Sequence, residues 1–271
     1  MTIDAAESRI SAATTAFHAR WLELLRDQPG NPSGVDIMRL ADGRIVGTVA
    51  TEWPEVEWLQ HVCGLRAGDD EEMFELATWY AELDAWPRYE IPVDAEDELI
   101  HTLLAVEAKP TGALAVLAAP AADLSTDAAA TDAVVSRVEP GTPSVAAFAA
   151  TIMSGHEVPD GGAPDHVGAV MAWVDQDGWR CFVAEREGAV VGAAALLELD
   201  GVGYLANAAT VPEARGHGAH TALIAARVAA AQALGCDLVC AIAEPDSPSA
   251  RNLVRAGLTV AGARTYWTCS S

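Results

Sequence analysis

The stretch from Val202 to Gly235 limits what this chain can fold into more than any other. An apolar run, Tyr204 to Val211, has the length of a strand, and Pro212 stops it because proline has no N–H to give to a sheet. Arg215-Gly216-His217-Gly218-Ala219-His220 follows as a glycine-rich turn. An alanine-rich segment of strong helix propensity then runs to Gly235. Strand, glycine turn and helix in this order build an anion site. Glycines let the backbone come close, and the free N–H groups of the helix's first turn face the anion with the helix dipole behind them. Arg215 adds a charge-assisted donor. Glycine turns before helices are common, so the turn alone leaves an ordinary helix start equally open.

A second stretch adds to the first. Asp246-Ser247-Pro248-Ser249-Ala250-Arg251-Asn252-Leu253-Val254-Arg255-Ala256-Gly257-Leu258 reads as a short capped helix ended by glycine. Together the two stretches resemble the GNAT superfamily of acyl-CoA-dependent N-acyltransferases. That family carries Arg/Gln-x-x-Gly-x-Gly/Ala after its fourth strand, matched here by Arg215-x-x-Gly218-x-His220, with His220 larger than the usual residue. Its second signature is matched loosely by Asp246, Ser249 and Gly257, and Leu253 stands where the family often has a tyrosine general acid. The resemblance covers residues from about 134 to the end.

Composition sets the outer limits. At 271 residues and 51% hydrophobic, the chain is long enough for one large or two modest domains with a sizeable core. Five scattered cysteines (Cys63, Cys181, Cys236, Cys240, Cys269) form no C-x-x-C pair, so no zinc site or other metal and no disulfide framework is expected. Reduced thiols, the lack of a secretory leader after Met1 and the lack of a long apolar run lead to the expectation of a cytoplasmic protein with no membrane span. The net charge of −23 excludes nucleic acid as a general partner. Residues 1–135 hold 8 basic and 25 acidic side chains; from Val211 onward five arginines face four acids. The region of weakest acidity therefore coincides with the proposed phosphate turn, and the acidic remainder suits a cationic amine substrate or is simply a solubility trait.

Along the chain, residues 4–27 read as an amphipathic helix, with Ile10, Ala13, Phe17, Trp21, Leu24 and Leu25 at helical spacing. A hairpin over 36–51 turns at Ala41-Asp42-Gly43. A strand at 58–65, a helix from 69 to 85, a strand at 89–93, a helix at 95–106 and a strand at 113–118 complete the first half. The same order recurs after 133, which predicts a diverged tandem repeat: residues 1–119 as a degenerate GNAT-like domain, 120–132 as a linker, and 133–271 as the acetyl-CoA-binding catalytic domain. The fold class expected is α/β, each domain a mixed, mostly antiparallel sheet flanked by helices. The first copy lacks the phosphate turn; Asp69, Asp70, Glu71 and Glu72 open its helix, where a pyrophosphate would meet carboxylates.

The resemblance implies a cleft between splayed fourth and fifth strands, here Tyr204–Val211 and Asp237–Ala243. Backbone of Ala208, Ala209, Thr210 and Val211 would bind the pantetheine arm, with an oxyanion-binding bulge near Ala209–Val211. Arg215, Gly216, His217, Gly218, Ala219, His220 and Thr221 would hold the pyrophosphate, and Ser249 and Asn252 would contact the arm. The implied reaction is direct attack of a small-molecule amine on acetyl-CoA in a ternary complex, which needs positioning, oxyanion stabilisation and proton management. Asn207, where many relatives carry a glutamate, takes no proton. Candidate bases are Glu198, His156 and Glu157; Tyr266 is a candidate acid. A protein that binds acyl-CoA without turnover, as a sensor or scaffold, is the alternative, and O-acylation or decarboxylation of a thioester a weaker one. A monomer or homodimer is expected.

Overall fold

The computed structural model describes residues 3–92, 97–127, 131–155 and 164–269. The first half runs α1 (Ile3–Arg26), β1 (Val35–Leu40), β2 (Ile45–Ala50), β3 (His61–Cys63), α2 (Asp70–Glu82), β4 (Arg88–Pro92), α3 (Asp97–Ala105) and β5 (Ala108–Pro120). The second runs β6 (Val134–Arg137), α4 (Ser144–Gly155), α5 (Pro164–Ala172), β7 (Trp179–Arg186), β8 (Ala189–Leu199), β9 (Val202–Tyr204), β10 (Ala208–Thr210), α6 (Ala219–Ala233), β11 (Leu238–Ala243), α7 (Pro248–Arg255) and β12 (Thr259–Cys269).

Strand pairing repeats between the halves. β1–β2 and β2–β3 are antiparallel and β3–β4 is parallel across the helix α2. In the same way β7–β8 and β8–β9 are antiparallel and β9–β11 is parallel across α6. A parallel neighbour needs a crossover, and in both halves a helix supplies it.

The chain divides into two compact units, one of residues 14–115 with 262–271 and one of 1–13 with 116–261. These ranges differ from 1–119 and 133–271, because the division falls inside α1, β5 and β12 rather than in the small-residue stretch after Pro120. Pairing is the reason. Arg264–Thr268 of β12 pairs antiparallel with Arg88–Pro92, so the chain's last strand ends among N-terminal residues. A boundary drawn from composition cannot register such a partner.

The first unit's core gathers Ile45, Val62, Met73, Leu76, Tyr80, Tyr89, Leu103 and Trp267, all nearly inaccessible to water. At the mouth of its crossover helix the carboxylate of Asp69 accepts the Arg66 N–H at 2.7 Å and both arms of the Arg44 guanidinium at 2.6 and 2.7 Å. The turn corresponding to the proposed phosphate turn thus carries its own anion.

In the second unit α6 packs against β7, β8 and β10. It comes close because two strand positions have no side chain. A Cβ on Gly203 would lie 2.7 Å from the Ala231 methyl, and one on Gly192 would lie 3.1 Å from Leu223 Cδ1. Gly203 therefore serves helix packing. No helix among the described residues is long and apolar enough to cross a membrane.

Candidate active-site cleft

The apolar run expected as one strand is two. β9 pairs with β11 as far as Tyr204 and Cys240, and the Leu205 N–H still reaches Cys240 O at 2.8 Å. There the chain breaks step. Asn207 takes a left-handed φ of 23°, and the single N–H of Ala195 on β8 faces both Ala206 O at 3.2 Å and Asn207 O at 3.0 Å. Two residues set against one is a β-bulge. Beyond it β10 pairs only with β8, while Ala241–Ala243 of β11 continue with no β10 partner. The strands splay at the bulge, and a cavity of about 270 Å³ lies there, lined by Leu205, Asn207 and Ala208 on one side and Ala241–Ala243 on the other.

The bulge lies at Leu205–Asn207, four residues before the Ala209–Val211 segment expected to hold it. Its register also corrects which backbone groups are free. Asn207 O accepts from Ala195 and the Val211 N–H donates to Val191 O at 3.0 Å, so Asn207, Ala209 and Val211 bond to β8. Antiparallel strands alternate their bonded edges. Ala208 and Thr210 are left facing the splayed side, and Ala209 and Val211 are not available to a ligand there.

At the mouth of α6, Gly216 and Gly218 both have φ of +84°, a region that side chains other than glycine rarely adopt. A Cβ at Gly218 would also strike the Thr131 Cβ at 2.9 Å, where the Thr131 hydroxyl donates to His217 O at the same distance. The first bond of the helical ladder runs from the Ala222 N–H to Gly218 O, leaving the amides of Ala219, His220 and Thr221 outside it. Gly218 caps without a side chain, and no acid occupies the first turn. Arg215 folds back so that its Nε donates to Thr210 O at 3.3 Å. These three amides at a helix N-terminus, with Arg215 nearby, are donors of the kind an anion accepts from.

Further along the cavity, His220 and Arg227 project from α6, and Ser249 and Leu253 from α7. Ser247 caps α7 by accepting the Ala250 N–H at 3.1 Å. Asn252 does not line the cavity; its amide nitrogen is 3.0 Å from His220 Nδ1 and its oxygen accepts from Arg255. Burial, and then the charge of Arg227, hold His220 down to a pKa of about 4, so the imidazole is neutral at pH 7.

Neither described candidate for proton transfer lines this cavity. Glu198 accepts the Gly201 N–H at 3.1 Å and so fixes the β8–β9 turn. Tyr266 belongs to the other unit, where its hydroxyl donates to Glu90 at 3.2 Å and its ring lies under the Arg88 guanidinium at 3.7 Å. Both hydrogen bonds depend on chain segments distant in sequence or on turn geometry, which spacing alone does not reveal. His156 and Glu157 lie outside the described residues. Reading the sequence also missed Arg227 and Glu244, the latter exposed at the end of β11 and the one carboxylate lining the cavity among the described residues. Arg227 did leave a signal: it is the single charge within the apolar run Ala219–Gly235.

A larger cavity of about 400 Å³ lies in the other unit, among Ala77, Ala81, Trp86 and Cys269. Its charged lining groups are Asp84 and Glu107, which would repel a phosphate ester.

Residues 153–258 match the acetyltransferase (GNAT) family model. A GCN5-related N-acetyltransferase from Kribbella flavida superposes with a TM-score of 0.69 at 17% identity, covering 97% of this chain and 95% of its own. A tandem GNAT protein from the clavulanic acid biosynthesis pathway gives 0.62 at 14% identity, covering 93% and 94%. A GCN5-related N-acetyltransferase from Sphaerobacter thermophilus gives 0.60 at 16%, covering 86% and 75%. At such identities the likeness is one of fold, and it extends over the whole tandem arrangement. No curated protein sequence matches.

Proposed function

We propose, from the match of residues 153–258 to the GNAT acetyltransferase family model, that this chain moves an acetyl group from acetyl-CoA to the amine of a small-molecule metabolite, by direct attack within a ternary complex. The splay of β10 from β11, with the glycine turn at its mouth, is the observation that carries this reading. The amides of Ala219, His220 and Thr221 suit the pyrophosphate, with Arg215 beside them. Ala208 and Thr210 suit the amide groups of the pantetheine arm, which would lie along β10 as an added strand. The acidic surface favours a cationic acceptor. Positioning supplies most of the rate in such a scheme.

Calorimetry with acetyl-CoA tests the reading: micromolar or tighter binding is expected, and no heat at those concentrations rejects it. A second reading, an acyl-CoA sensor without turnover, is favoured by Asn207 and Leu253, which line the cavity with no proton to exchange. Thiol release in a broad panel of amines separates the two, since a sensor binds and releases none.

A further inference from the structure

Arg227 is the most deeply buried charge in the unit that holds the cleft, at 1% exposure. Its Nε donates to Leu223 O at 3.1 Å, and Nη1 donates to Ala195 O at 3.2 Å and Ala206 O at 3.1 Å. The last two carbonyls are those of the bulge, so the arginine stitches α6 to the point where the strands part. Nη2 has no hydrogen-bond partner among the described residues, and the guanidinium has no carboxylate partner among them. The one neighbour that favours its charge is the Tyr204 phenol, and burial draws its pKa down to about 9. Carbonyl dipoles alone leave a buried cation costly. Nη2 is not among the buried atoms left without a partner, and Arg227 lines the cavity, so this arm of the guanidinium is open to an anion there.

Which anion follows from position. Arg227 is nine residues beyond Gly218, about 13 Å along the helix at about 1.5 Å per residue. That is too far for the pyrophosphate at the turn and falls toward the reacting end of the pantetheine arm. Leu253, buried in the same cavity, stands where the family's tyrosine would protonate the departing sulfur and has no proton to give. When the amine nitrogen bonds to the acyl carbon, the C–S bond breaks, its electron pair stays on sulfur and the nitrogen's proton passes to water. Something must accommodate that sulfur charge.

We propose that Arg227 holds the departing CoA as a thiolate, meeting by charge the need that relatives meet by protonation. This rests on the acyl-CoA reading above. The other ionisable groups lining the cavity are Tyr204 from β9, His220 from α6 and the exposed Glu244 just after β11. Of these Tyr204 offers a competing proton and the neutral His220 ring a competing N–H hydrogen bond.

The test reads the thiol of bound CoA by the ultraviolet absorbance of its thiolate as pH is raised, with desulfo-CoA as blank. In the native protein the bound thiol is expected to titrate at least one pH unit below free CoA. Arg227→Gln should return it to the free value and lower kcat at least tenfold, with acetyl-CoA affinity changed less than threefold. Arg227→Lys should keep part of the shift, and Tyr204→Phe should leave it intact. A native bound thiol that titrates with free CoA overturns the proposal, even if every variant fails to fold. So does an unchanged shift in Arg227→Gln. Failure of CoA to bind at all would instead reject the acyl-CoA reading itself.

Discussion

The Asn252 side-chain nitrogen lies 3.0 Å from His220 Nδ1. The Asn252 oxygen is taken by Arg255, which fixes the amide so that its NH2 faces the ring. An amide nitrogen only donates, so Nδ1 accepts and the ring proton is assigned to Nε2. His220 therefore enters the cleft as a neutral donor. With its folded pKa near 4 and an ordinary unfolded value, the unfolded chain takes up a proton first as pH falls. Its contribution to stability is complete above about pH 6.5 and is lost between there and about pH 4, by about 1–3 kcal/mol after allowing for partial exposure. Urea midpoints against pH should fall less steeply in this window for His220→Gln than for the native protein. Parallel curves would show that the ring is not held neutral.

Gly216 and Gly218 share a φ but not surroundings. Gly216→Ala meets nothing within 4 Å and should cost only the strain of a left-handed alanine, about 1 kcal/mol. Gly218→Ala adds the collision with Thr131 and should cost about 1 kcal/mol more in a thermal melt. Gly218→Glu should abolish acetyl-CoA binding by calorimetry, because a carboxylate would enter the anion site. Retained binding would remove the turn from the ligand's path.

The two close approaches of α6 predict an order of damage. Gly203→Ala must push a backbone-anchored methyl at 2.7 Å and should destabilise by about 2–3 kcal/mol. Gly192→Ala meets the far end of the Leu223 side chain at 3.1 Å, which can turn aside, and should cost under about 1 kcal/mol. Equal losses in chemical denaturation would contradict this account of the packing.

In the first unit, burial works to raise the Asp69 pKa, but the hydrogen bonds from Arg44 and from the Arg66 N–H outweigh it and leave the carboxyl below its usual value. The stabilisation is present above the unfolded value near pH 4 and is lost as pH falls below it. Asp69→Asn should cost about 2–3 kcal/mol at neutral pH, reduced from a fully buried pair because the Arg44 side chain is 30% exposed. It should also flatten the acid limb of the native protein's stability curve. A variant as stable as the native protein at pH 7 would mean that the pair only matches its own desolvation.

The sequence alone determined the elements whose signals are local. β7 and β8 fall at Trp179–Arg186 and Ala189–Leu199, two apolar runs on either side of the Glu187-Gly188 turn. The glycine turn, the alanine-rich helix and the capped α7 follow likewise from propensity and backbone freedom, which each residue carries with it. Only tertiary structure decided what depends on a distant partner. Ala195 on β8 splits Tyr204–Val211 into two strands, β4 draws the end of β12 into the first unit, and Glu90 and Gly201 engage Tyr266 and Glu198 outside the cleft. Arg227 shows the difference within one residue. Its place on the helix is written in the sequence, but its charge acquires meaning from two bulge carbonyls and the lack of a counter-ion among the described residues, and long-range packing alone sets both.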